Sequence, residues 1–121
     1  MKNLKLSVVL LLAITLVSCI HSANKALLVG EWKGAEWLAN GKPSDNDASK
    51  VYLKFSDDGG YVSDFGGSRE KGTYILRENK LFTTAEDQLE IMVEIAKLTK
   101  DSLVFNMNRG GQPEILILIR K

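Results

Sequence analysis

The chain has 121 residues with 16 basic and 15 acidic side chains, one histidine, one cysteine and a formal net charge of +1. That length supports one domain rather than two, and its interspersed charges form no basic, aromatic-interleaved stripe for nucleic acid. The only cysteine is Cys19 and the only histidine is His21. Zinc and haem sites built from the usual side chains are therefore excluded, as are Cys-His and Ser-His pairs in the body of the chain. We expect no metal, no cofactor and no catalysis.

In chain order, Met1-Lys2-Asn3-Leu4-Lys5 is a positive segment, Leu6 to Val17 an apolar run, and Ser18 a small residue directly before Cys19. The run is shorter than the ~20 residues a spanning helix requires, and the polar stretch Ile20 to Lys25 follows it. The segment resembles a bacterial lipoprotein signal peptide with the lipobox Leu16-Val17-Ser18-Cys19. The resemblance implies a diacylglyceryl group on the Cys19 thiol, cleavage before Cys19 and acylation of the new amino terminus. Three acyl chains at ~0.8 kcal/mol per buried methylene anchor far more firmly than one.

On this reading residues 1–18 are a removed signal peptide, 19–27 a lipidated tether and 28–121 the folded domain. The signal segment carries two of the basic residues and none of the acidic ones, leaving 103 residues with 14 basic and 15 acidic side chains, a net charge of −1. In enteric-type sorting an aspartate after the lipidated cysteine retains a lipoprotein at the inner membrane, and position 20 is isoleucine. No acidic residue precedes Glu31 to act as a surface-export signal. The expected address is the outer membrane, facing the periplasm.

Beyond the tether, short segments alternate with turn residues, the punctuation of an all-β domain. Eight strands are expected, the first from Gly30 to about Leu38, followed by the long loop Asn40 to Asp47. The second, Lys50 to Phe55, places Val51, Leu53 and Phe55 on one face and Tyr52 and Lys54 on the other. Asp57-Asp58-Gly59-Gly60 is a tight turn into Tyr61 to Phe65. After Gly66-Gly67-Ser68 come Lys71 to Arg77, with Gly72, Tyr74 and Leu76 on one face, and Lys80 to Thr84.

Residues 84–100 are ambiguous. Leu89, Met92, Val93 and Ala96 recur at helical spacing, while Leu89, Ile91, Val93 and Ile95 alternate. A strand is chosen because a helix would leave an unpaired sheet edge after Lys80 to Thr84. Leu103 to Met107 and Glu114 to Arg120 complete the set. Short links imply antiparallel neighbours in chain order, and a closed meander removes both edges.

Gly30-Glu31-Trp32 at the start of the first strand resembles the Gly-x-Trp signature of lipocalins, and Leu98-Thr99-Lys100-Asp101-Ser102-Leu103 resembles a turn of small bacterial lipocalin-like domains. The resemblance implies an eight-stranded antiparallel up-and-down barrel in which Trp32 plugs the closed end and Arg120, on the last strand, packs over its ring. It further implies a small hydrophobic or amphipathic ligand. Trp37, Tyr61, Phe65 and Tyr74 are the candidate pocket wall, with ordinary core packing as their alternative role. The domain is shorter than a secreted lipocalin and small barrels can be filled by their own side chains. The competing reading is therefore a structural or interaction lipoprotein, an inhibitor or assembly accessory, with a solid barrel and a protein partner that no motif names.

Two further features have ordinary explanations. Asp45, Asn46 and Asp47 lack the spaced ligands of a calcium loop and read as a solvated turn. Ile115, Ile117 and Ile119 form an apolar row opposite Leu116 and Leu118, which residues 25–28 are expected to cover.

Overall fold

The computed structural model describes residues 24–121; the signal segment and Cys19 lie outside the described residues. Nine strands follow one another: β1 Gly30–Ala39, β2 Lys42–Pro43, β3 Val51–Phe55, β4 Gly60–Phe65, β5 Arg69–Arg77, β6 Lys80–Ala85, β7 Ile91–Leu98, β8 Ser102–Arg109 and β9 Gln112–Arg120. Each of β3 to β8 pairs antiparallel with the next, and β1 pairs with both β3 and β9. Eight strands thus close an up-and-down barrel without a free edge. The region 84–100 supplies a strand, β7, preceded by a loop.

The small β2 hairpin lies inside the stretch expected to be only loop. Asn40 and Gly41 adopt φ of 52° and 77°, the conformation in which an Asn-Gly pair closes a two-residue hairpin. β5, β8 and β9 run beyond their expected limits because their ladders continue toward the turns, with Arg109 opposite Gln112 across a two-glycine link. Lys50 belongs to a short 3₁₀ turn, Ala48–Lys50, and not to β3. Gly34 gives that turn room beside β1, since a Cβ there would collide with the Ala48 carbonyl.

Strand alternation is interrupted once in β1. Trp32 and Trp37 are five residues apart, an odd spacing that a regular strand would send to opposite faces, yet both are buried. The register shifts between Gly34 and Glu36 against β9, and this bulge returns Trp37 to the interior. β7 has a similar shift between Ile95 and Lys97.

One end of the barrel is sealed. Residues 24–28, the last part of the expected tether and the first residue of the domain, form a short helix whose Leu28 is fully buried in the core. Leu28 therefore seals the barrel end and does not lie across the outer row, where Ile115 and Ile117 are half-buried and Ile119 is exposed. The Trp32 indole N–H donates to the Leu28 carbonyl at 2.9 Å. Arg120 is opposite Trp32 in the β1–β9 ladder, and its guanidinium carbon lies 3.8 Å from the indole centroid, well inside cation–π range. The same guanidinium donates to the carbonyls of Leu27 at 2.6 Å, Val29 at 3.0 Å and Lys100 at 3.1 Å.

Arg120 thereby joins the last strand to the entering chain and the β7–β8 turn. Substituting Arg120→Lys, which keeps charge but loses the planar fork, is expected to lower stability by about 1–2 kcal/mol. Arg120→Ala is expected to lower it by ~3 kcal/mol, both read from urea unfolding of the purified protein.

Candidate ligand-binding site

The opposite end of the barrel is built from the β1–β3 connection, the β4–β5 turn, the β6–β7 loop and the β8–β9 turn. Inward side chains near the sealed end are large: Phe55, Tyr74, Leu81, Leu103 and Leu118 fill it together with Trp32. Toward the open end the inward positions include Ser63, Thr83 and Val93, which occupy less space. The difference leaves an internal cavity of about 140 Å³ whose lining includes Leu53, Phe55, Tyr61, Phe105 and Leu116. Above it lies a mouth of about 720 Å³. Phe65, Ile91, Val93 and Met107 line both, so the cavity opens into the mouth.

Three of the four expected pocket residues come together here. Tyr61 is in the cavity wall, Trp37 in the mouth, and Phe65 between them. Trp37 and Phe65 meet edge to face, with centroids 6.1 Å apart and planes at 73°. Burial pushes the pKa of the Tyr61 hydroxyl up, the nearby charge of Glu70 adds to that, and the Thr83 hydroxyl works in the other direction. Tyr74 lines neither space. Its ring packs edge to face on Phe55 at 5.1 Å and its hydroxyl donates to the Ser56 carbonyl at 2.8 Å. Two positions beyond Gly72 toward the sealed end, it belongs to the floor beneath the cavity and not to the pocket wall.

Several polar residues of the site were not singled out in the sequence. Glu114 is 7 % exposed, and its Oε1 accepts a hydrogen bond from the Trp37 indole N–H at 2.7 Å. Its Oε2 is 3.7 Å from Nε of Arg109, whose guanidinium also stands 5.6 Å from the Trp37 ring centroid. A buried carboxylate is tolerated only when such partners replace water. Ser63, Glu70 and Thr83 supply the polar groups of the cavity wall. Sequence phase carried the signal: Glu114 is in step with the buried Leu116 and Leu118, and Glu70 with Gly72 and Tyr74.

Asp45, Asn46, Asp47 and Lys50 border the mouth. Asp47 caps the 3₁₀ turn by accepting from the Ser49 amide at 3.0 Å and hydroxyl at 2.6 Å, which holds its carboxyl below the usual range. Among the described residues, no group of three or more His, Cys, Asp or Glu is arranged to hold a metal ion. No helix among them is long and apolar enough to cross a membrane.

Replacing Trp37 by Phe removes the donor to a buried carboxylate and is expected to cost about 1–3 kcal/mol in urea unfolding. Combining Trp37→Phe with Glu114→Leu removes both partners. That pair is expected to cost less than the sum of the single changes, a coupling a double-mutant cycle measures directly.

A search of curated proteins yields no match to this sequence. Among solved structures, the fold is similar to a lipocalin-like protein from Bacteroides uniformis, with a TM-score of 0.59 and 16% identity over 78% of this chain and 98% of that one. It is also similar to an uncharacterized protein from Bacteroides eggerthii, with a TM-score of 0.60 and 15% identity over 78% of this chain and 99% of that one. Residues 28–105 match the family model described as a lipocalin-like domain. With the sealed end, the closed eight-stranded barrel and that match over most of its length, the chain belongs to the lipocalin-like domain family.

Proposed function

We propose that this protein is a membrane-anchored lipoprotein that binds a small hydrophobic or amphipathic molecule through the barrel mouth and catalyses no reaction. The observation that carries the reading is the apolar cavity opening into the aromatic-bordered mouth. About 140 Å³ is close to the ~150 Å³ of an engineered dry cavity that accepts benzene, so the interior suits a ring or a short alkyl end. The mouth lies within the ~300–1,000 Å³ of ordinary ligand sites and can hold the remainder.

The anchor reading rests on Cys19. Only Ile20 to Ala23 lie between Cys19 and the helix at the sealed end. At ~3.3–3.6 Å per residue, that tether keeps the sealed end within about 20 Å of an acylated surface. The mouth, at the other pole, then opens away from the bilayer into the periplasm. Replacing Cys19 with Ala should move the protein out of the outer-membrane fraction; unchanged fractionation would refute the anchor.

A second reading, an interaction lipoprotein, draws support from the rim. Leu89 is 89% exposed, Ile91 64% and Met92 53%, an apolar edge suited to a protein partner. Met107→Trp separates the two readings, because Met107 lines cavity and mouth and the larger ring would occupy the interior. With purified protein, N-phenyl-1-naphthylamine is expected to show saturable fluorescence enhancement that Met107→Trp abolishes, while circular dichroism and the unfolding midpoint show that the barrel remains folded. A folded wild-type barrel that gives no saturable signal would favour the interaction reading.

A further inference from the structure

The geometry points to Glu70 as a head-group site inside the barrel, which takes the ammonium of an amine-bearing amphiphile and disfavours a carboxylate of the same chain length. This inference rests on the ligand-binding reading and specifies the chemistry of that same pocket.

Glu70 is the only charged residue in the cavity lining. It is half-buried and directly opposite Ser63 in the β4–β5 ladder, where Ser63 is 3% exposed. Thr83 and Tyr61 also line the space. Three hydroxyl-bearing side chains therefore share with one carboxylate a wall that is otherwise apolar. An ammonium has three donors and no acceptor, and this wall offers a carboxylate together with hydroxyl oxygens.

Among the described residues the ion pairs are Lys71–Glu86 and Arg109–Glu114, and neither engages Glu70. Arg69 and Lys71 flank Glu70 on the exposed phase of β5. Glu70 also borders an outer cleft lined by Arg69, Lys71, Glu86 and Gln88. Glu70 is half-buried and not buried, so part of the residue stays in contact with solvent, and its charge costs less there than a fully buried carboxylate would.

The mouth does not reverse the preference. Its charged lining is Asp45, Asp47, Lys50 and Arg109, and Arg109 already faces the buried Glu114. Lys50 is then the one cation of the mouth lining outside these ion pairs, against Asp45 and Asp47 there and Glu70 below. An incoming carboxylate meets an excess of negative charge. A cation meets that charge together with the rings of Phe65 and Tyr61, whose faces attract ammonium groups.

The test uses three probes of one chain length, octylamine, 1-octanol and octanoate, titrated calorimetrically into the purified full chain at neutral pH. Octylamine is expected to bind at least about tenfold more tightly than octanoate, with octanol between them. Glu70→Gln should bring octylamine and octanoate within about threefold of each other, while Glu70→Asp, which keeps the charge, should preserve their order. The unfolding midpoint of each variant verifies its fold. Equal or tighter binding of octanoate to the unsubstituted protein would overturn the inference, even if neither variant folded. So would a preference for octylamine that survives in folded Glu70→Gln. Heat from octanoate alone would leave the ligand-binding reading standing without this one, whereas no binding of any probe would overturn both.

Discussion

Everything in this structure depends on the closure of β1 against β9. β1 pairs with β2, β3 and β9, and the β9 pairing joins the first strand of the barrel to the last. Its register therefore sets the register of the whole barrel. At the sealed end the ladder finishes with Arg120 opposite Trp32, and the guanidinium hydrogen-bonds three carbonyls while covering the indole. An aliphatic side chain at position 120 could cover the ring but would leave those carbonyls without their donors. The choice of arginine follows from the need for a flat cation with several donors.

The same strand places the two ends of the molecule in one phase. Trp32 belongs to the seal and Trp37 to the mouth, and the bulge between Gly34 and Glu36 makes both point inward. A strand without the bulge would turn one indole to solvent. If that were Trp37, Glu114 would lose its donor and Arg109 its aromatic face. The bulge therefore links the sequence spacing of two tryptophans to the geometry of the open end.

Alternation made most of the barrel legible in the sequence, because one face of each strand is buried. Val51, Leu53 and Phe55 follow that rule, as do Leu103 and Phe105. Residues 84–100 were harder to read, since β7 carries its own bulge and the preceding loop contains Leu89 at full exposure to solvent. A period-two pattern also states which face a residue occupies but not its height along the barrel. Tyr61 and Tyr74 share the inward phase, yet one borders the cavity and the other packs its floor. Helix 24–28 left no periodic signal because it is little more than one turn and is held by the Trp32 and Arg120 contacts.

The hollow itself follows from an uneven distribution of side-chain volume. Where Trp32, Tyr74, Leu103 and Leu118 converge, the barrel interior is filled; where Ser63, Thr83 and Val93 face inward, it is not. The two inward carboxylates of the open half then differ in kind. Glu114 is buried and answered by Trp37 and Arg109, so it fixes the wall. Glu70 stands opposite Ser63 and borders both the cavity and an outer cleft, outside both ion pairs of the described residues. A charge needed only for the fold would be expected to have a partner like that of Glu114, because an unanswered charge beside apolar surface is costly. Glu70 is half-buried and has no such partner, and on the proposed reading its charge is left for a ligand.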